Sequence, residues 1–265
     1  MARPMTESHR RFLQIMMTSG IIELSKAKSL IRHCCDDQSA HAQLDEFIDV
    51  INAQLQPMFM QIRKGMSEDD GRQYYALVNM AETDVTRMSS DYADNELELF
   101  RKTMDLIVDS ENGSASSTDI LNCADSLQTK KMKKKEVEHV LNRLVQDKWL
   151  NEKQGDYTMS TRCIIEMEQY IRNVYQDLVK PCYMCHSLAF QCQMCENPEC
   201  GIKVHLPCVA RYFKSHIDPQ CPACKEYWPH EIPVLRSESA SQTAQPRENA
   251  TPTPSGSHSR RQRKR

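Results

Sequence analysis

The stretch Cys182–Cys224, CYMCHSLAFQCQMCENPECGIKVHLPCVARYFKSHIDPQCPAC, holds eight of the twelve cysteines of the chain. Zinc prefers four soft or borderline ligands in a tetrahedron, and a C-x2-C turn places two thiolates along one edge of it. Cys182/Cys185 and Cys221/Cys224 are two such turns. Between them lie Cys195 and Cys200, then His205 and Cys208. Seven cysteines and one histidine make eight ligands, enough for two zinc ions. Spacing leaves the pairing open, because sequential and interleaved schemes both give four ligands per metal. Cys192 falls outside the set of eight and is the one residue that could replace Cys195. His186 and His216 read as exposed loop residues. No thioredoxin-like strand and helix pattern surrounds the C-x-x-C pairs, which argues against redox chemistry.

The order of four cysteines, one histidine and three cysteines resembles a variant RING domain, in which alternate ligand pairs share a metal. That resemblance implies Cys182, Cys185, His205 and Cys208 on one zinc, and Cys195, Cys200, Cys221 and Cys224 on the other. A PHD finger has the same ligand order and reads histone tails, but it usually carries an aromatic residue two places before the last cysteine pair. Pro219 stands there, which argues against a PHD finger. RING domains that dock a ubiquitin-conjugating enzyme present an apolar residue inside the first C-x2-C and a proline inside the last, and Met184 and Pro222 fit. A basic residue after the last ligand often contacts ubiquitin, and Lys225 holds that place. Tyr183 completes the expected docking set. Such a module has no catalytic side chain; it positions a charged conjugating enzyme. The alternative is a zinc-stabilised assembly subunit without transfer activity.

Working toward the N-terminus, the residues before the cysteines read as helices with small hairpins. Phe12, Ile15 and Met16 share a helical face that Gly20 ends. Leu24, Ala27, Leu30 and Ile31 line a second helix; Leu44, Phe47, Ile48, Ile51 and Leu55 line a third, stopped by Pro57. The period then falls to two. Met58, Met60 and Ile62 read as a strand, KGMSEDDG as a polar turn, and Tyr74–Met80 as a returning strand. Three helices and a hairpin predict a winged helix. The order recurs: Leu97, Phe100, Met104, Ile107 and Val108 on one helix, a turn at Asn112-Gly113, a short helix over Asp119–Leu127, and a third helix lined by Val137, Val140, Leu141, Leu144 and Val145. Trp149-Leu150 and Tyr157–Met159, joined by NEKQGD, predict a second wing. A last helix carrying Ile164, Met167, Ile171, Val174 and Leu178 is expected to run straight into the cysteine cluster as a rigid connection. The scattered Cys34, Cys35, Cys123 and Cys163 read as small buried hydrophobes.

The expected fold is therefore mostly α with small β-hairpins: a winged-helix domain over 1–85, a second with its connecting helix over 86–179, the cross-braced two-zinc variant RING over 180–236, and a basic-ended tail over 237–265 too polar to order itself. The net charge of −2 argues against a globally basic nucleic-acid binder. Locally, the KKMKKK run supplies Lys130, Lys131, Lys133, Lys134 and Lys135 before the third helix of the second unit, where a DNA reader places phosphate contacts. A solvated helix start is the competing reading. No apolar run approaches a bilayer span and the N-terminus lacks a signal-peptide core, so an intracellular protein without a membrane partner is expected. The terminal RRQRKR suits nuclear import or a weak phosphate contact.

Two winged-helix regions, a coupled variant RING, and the stretches CGIKVHLPCVARYF and CPACKEYWPHEIP together resemble a family: the RING-bearing non-SMC element, subunit one, of the DNA-repair complex of structural-maintenance-of-chromosomes ATPases. The resemblance spans residues 8 to 236. It implies a nuclear, chromosome-associated ubiquitin ligase whose winged helices bind a MAGE-type subunit, the pair engaging a kleisin. Two Zn2+ are the implied cofactors; ubiquitin and a conjugating enzyme are the implied transfer partners.

Overall fold

The fold is built from one order of elements used twice, followed by a small zinc-ligand module. The computed structural model describes residues 3–34, 44–81, 88, 91–216 and 218–234. The first segment runs α1 (Glu7–Ser19), β1 (Ile21–Glu23), α2 (Leu24–Cys34), α3 (Leu44–Leu55), β2 (Met60–Met66) and β3 (Gln73–Asn79). The second repeats it as α4 (Asp94–Asp109), β4 (Ala115–Ser116), α5 (Ser117–Cys123), α6 (Lys134–Gln146), β5 (Leu150–Lys153) and β6 (Asp156–Met159), then adds α7 (Thr161–Val174). Both sheets are antiparallel and three-stranded, ordered β1-β3-β2 and β4-β6-β5. Each short first strand adds an edge to the expected hairpin; at three and two residues, these strands are too brief to leave a period in the sequence.

Helix ends follow local chemistry. Gly20 stops α1 at φ +68, its N–H donating to the Met16 carbonyl at 2.8 Å. Ser116 and Ser160 cap α5 and α7 by accepting from the Asp119 and Cys163 N–H groups. Phe12, Met16, Ile48 and Ile51 form the core of the first segment; Phe100, Met104, Leu141 and Leu144 that of the second. Helix α7 joins the two. Its Cys163, Met167 and Ile171 enter the second core, while Ile165 packs on the first sheet beside Ala76 and Val78. Gly65 of β2 makes this approach feasible, since a Cβ there would lie 2.4 Å from Ile165 Cγ1. Arg63 of β2 pairs with Glu168 of α7 at 2.5 Å on the same face.

Several expectations are corrected. Met58 lies in a 3-10 turn (Gln56–Met58), and the strand starts after Phe59, whose left-handed φ of 54 redirects the chain. The short helix over Asp119–Leu127 is α5 followed by a 3-10 turn over Ala124–Ser126. Helix α7 stops at Val174, so the path to the cysteines is not one continuous helix; Val174 and Leu178 are each 52% exposed, and it is buried Tyr175 and half-buried Val179 that carry on the series after Ile171. Of the polar turn read at KGMSEDDG, Lys64, Gly65 and Met66 belong to β2, and Ser67 and Glu68 are buried while Asp69 and Asp70 are exposed. Cys163 is buried and Cys123 half-buried. The side chains of Cys34 and Cys35, the expected boundary near residue 85, and the tail with its RRQRKR end lie outside the described residues.

The zinc-ligand module comprises β7 (Cys192–Met194), β8 (Lys203–His205) and α8 (Leu206–Phe213) around buried Val204, Val209, Phe213 and Trp228. Its Leu188 and Phe190 leave that core and join the core of the second segment. Gly113, at φ +68, permits this, since a Cβ there would meet the Phe190 carbonyl carbon at 2.6 Å. Gly113→Ala is expected to cost about 1–3 kcal/mol, read as a lower denaturation midpoint. Gly155→Ala is the control, because Gly155 is also left-handed but its Cβ would meet nothing nearer than Ser117 Oγ at 3.6 Å. Equal losses in both variants would mean that Phe190 does not press on the 113 turn.

Candidate metal centre

The first and last C-x2-C turns are closed in the same way. The N–H of the residue after the second cysteine donates back to the first cysteine's carbonyl, from His186 to Cys182 at 2.9 Å and from Lys225 to Cys221 at 3.1 Å. Both donors sit at positive φ, 62 and 67, which turns the chain away and leaves each sulfur pair on one side. The β7–β8 hairpin supplies the middle of the module. Cys192 pairs with His205, and the Cys195 N–H donates to the Ile202 carbonyl. His205 ends β8 and Cys208 sits in the first turn of α8, whose start is set by Pro207.

These turns gather two clusters, Cys182, Cys185, His205 and Cys208, and Cys195, Cys200, Cys221 and Cys224, each with its donor atoms within 4.8 Å of one another. The pairing is therefore interleaved. In the second cluster, Cys195 Sγ lies 3.6 Å from Cys224 Sγ and Cys200 Sγ lies 3.8 Å from Cys221 Sγ, each contact linking turns distant in sequence. Zn–S bonds of about 2.3 Å in a tetrahedron put sulfurs about 3.8 Å apart. The donor sets, three sulfurs with one imidazole and four sulfurs, contain no carboxylate and suit zinc rather than a hard cation. The module fits two zinc ions. Cys192 belongs to neither cluster, and burial raises its thiol pKa. In contrast, the Glu226 N–H helps hold the Cys224 thiol down to about 7, toward the thiolate that a metal requires.

His205 is the most constrained ligand. Its Nδ1 faces Cys185 Sγ at 3.2 Å inside the first cluster. Nε2 faces two acceptors, the Leu188 carbonyl and Glu68 Oε1, each at 2.8 Å, which call for a hydrogen on that nitrogen. Burial acts to lower the His205 pKa, but Cys182, Cys185 and Glu68 outweigh it and raise it to about 12. Nearby, the Arg211 guanidinium points at Cys208 Sγ (3.6 Å) and Met66 Sδ (2.8 Å). Neither Glu68 nor Met66 has a sequence signal tying it to the cysteines; an acidic turn ordinarily reads as solvated.

The remaining predicted residues are accessible. Tyr183 and Met184, inside the first turn, are 45% and 39% exposed, and Pro222 is half-buried. Lys225 is exposed but bends back, its Nζ donating to the Pro222 carbonyl at 3.2 Å. Lys130, Lys131, Lys133, Lys134 and Lys135 are all exposed, with Met132 buried among them as the anchor of the run. The Lys133 N–H donates to Glu136 Oε2 at 2.7 Å, so an acidic side chain, not lysine, meets the start of α6. Cys221→Ser is expected to lower bound zinc from two ions per chain to one, measured with a chromophoric chelator after denaturation. Retention of both ions would remove Cys221 from the ligand set.

Two family models match the chain. One, described as "Nse1 non-SMC component of SMC5-6 complex", matches residues 9–167, and one described as "RING-like domain" matches residues 182–224. A Xenopus tropicalis protein named "Non-structural maintenance of chromosomes element 1 homolog" is 58% identical over 89% of this chain and 87% of its own length. The Homo sapiens protein of the same name is 53% identical over 87% of each. A solved structure described as "Nse1-Nse3-Nse4 complex" contains a chain that superposes with a TM-score of 0.76 at 55% identity, covering 87% of this chain and all of that one. The chain belongs to the family of Nse1 non-SMC components of the SMC5-6 complex.

Proposed function

We propose that the chain is a RING-type E3 ubiquitin ligase subunit of a DNA-repair SMC complex. The observation that carries this reading is the interleaved pair of ligand clusters together with an exposed first turn bearing Tyr183 and Met184. Under this reading the eight cluster residues are the ligands of two Zn2+ ions, which fix the turns, and no side chain is catalytic. Tyr183, Met184 and Pro222 pack on the conjugating enzyme, and Lys225 exchanges its bond to the Pro222 carbonyl for one to ubiquitin. Rate enhancement comes from holding the thioester in one orientation.

The two repeats, with a helix–strand–helix–helix–strand–strand order, are proposed to be winged helices over 1–85 and 86–179 that bind a MAGE-type subunit and, with it, a kleisin. The Nse3 and Nse4 named with the matching solved structure are the counterparts of these partners, and a nuclear, chromosome-associated location follows from such an assembly. Residues 180–236 form the RING, and 237–265 a basic-ended tail. A second reading, a zinc-stabilised assembly subunit without transfer, is favoured by the Lys225–Pro222 contact, which occupies the residue expected to meet ubiquitin.

Met184→Asp decides between them. The ligase reading expects ubiquitin transfer with a MAGE-type partner to fall by at least about tenfold, the scale for a lost interface anchor, with zinc content unchanged. Unchanged transfer would overturn the docking assignment, and no transfer by the unaltered chain with any conjugating enzyme would favour the assembly reading. The five exposed lysines are further proposed to contact DNA phosphates. Five such contacts predict that log affinity falls with log salt at a slope of roughly −4 to −5. A salt-insensitive signal would exclude them.

A further inference from the structure

Among the buried ionisable groups that this reading leaves without a role, Glu68 is the best defined. It lies in the β2–β3 turn, more than a hundred residues before the first cysteine ligand, and is 5% exposed. Its carboxylate is fully engaged with the zinc-ligand module. Oε1 accepts from the Phe190 N–H at 3.0 Å and faces His205 Nε2 at 2.8 Å; Oε2 accepts from the Gln191 N–H at 3.1 Å. The neighbouring acids do different things. Asp69 accepts from Asn151 Nδ2 of the second segment at 3.2 Å, and Asp70 accepts from the N–H of Arg72 within its own turn. Gly71 closes the turn at φ +72 against Pro207, where a Cβ would come within 2.7 Å of the proline's own. Only a glycine there lets the turn reach the start of α8, and Glu68 is then aimed at the ring between Pro207 and β8.

We propose that Glu68 is the outer positioning residue of the first zinc site, acting through the His205 imidazole, so that the N-terminal segment is a structural part of a metal centre whose ligands all lie beyond residue 180. The inference rests on the two-zinc reading. A metal-bound histidine needs its second nitrogen protonated and its ring held, and a carboxylate on that N–H does both while making Nδ1 a better donor. The Leu188 carbonyl shares the same hydrogen, but it carries no charge.

The test is zinc release from the full-length chain into an excess of chromophoric chelator, resolving the two ions by rate. The unaltered chain must first yield two ions; fewer would overturn the two-zinc reading itself. Given two, Glu68→Ala is expected to release one ion 10- to 100-fold faster, the usual effect of losing such a partner, and to leave the other unchanged. Asp70→Asn is expected to leave both unchanged. His205→Cys separates positioning from packing, because a thiolate ligand has no second nitrogen to hold. In that background Glu68→Ala is expected to have no further effect. Unaltered release in Glu68→Ala overturns the inference. So does an equal acceleration with His205 or Cys at position 205, since Glu68 would then act only through the Phe190 and Gln191 amides. If Glu68→Ala does not fold, Glu68→Gln, which keeps the shape and an acceptor oxygen, is put through the same comparison.

Discussion

A carboxylate removed from water is tolerated only when its lone pairs are met, and Glu68 is the point where this constraint shapes the whole molecule. Desolvating such a group costs several kcal/mol. Two backbone amides and the His205 N–H offset the cost, and none of the three comes from the segment that carries the glutamate. The β2–β3 turn can therefore bury its acid only by docking on the module, and the module can present those donors only once residues 188–191 have their folded course. Burial of this group, together with the Met66–Arg211 and Gly71–Pro207 contacts, ties the two parts to each other.

The same short loop is held from the other side. Leu188 and Phe190 belong to the second core, and Gly113 opens the space that the Phe190 backbone fills. A module of this size buries too little apolar surface to be secure unaided. Two structural zinc ions, each worth roughly 10–16 kcal/mol in small metal-folded domains, supply the local stabilisation, and the docked loop supplies orientation. Trp228 completes the inner core by donating from Nε1 to Gln193 Oε1 at 2.9 Å, which pins the chain after the last ligand onto β7.

Periodicity made most of the helices legible, because each buries one stripe: Leu44, Ile48, Ile51 and Leu55 in α3, and Val137, Val140, Leu141 and Leu144 in α6, are buried as their spacing requires. The ligand clusters were legible for a different reason, since metal chemistry restricts the residue types and a C-x2-C turn restricts the geometry. Most of the misses share a cause, the local turn at Met58 and Phe59 aside. Strands β1 and β4 and the end of α7 are set by partners distant in sequence. So is the burial of Glu68: SEDDG carries every local mark of a solvated turn, and nothing within several residues of it records that His205 and the Phe190 amide will come to meet it. Spacing favoured Cys195 over Cys192 because it keeps the more usual gap to Cys200, and Cys195 is the one that stands in the second cluster.

These contacts also account for which part of the module is left free. Glu68 and Met66 cover the His205 side, and the second core takes Leu188 and Phe190, so packing consumes the face that carries the first cluster's histidine and the loop before it. Tyr183 and Met184 remain outside because their turn points its sulfurs inward and its two intervening side chains the other way. The exposed turn is not free to swing. Here the turn stands on a ligand pair shared with His205, His205 stands on Glu68, and Glu68 stands on a sheet that α7 locks to the second segment through Ile165 and the Arg63–Glu168 pair. A partner bound to either segment would thus face the exposed turn at a fixed angle, transmitted through buried contacts rather than through a linker.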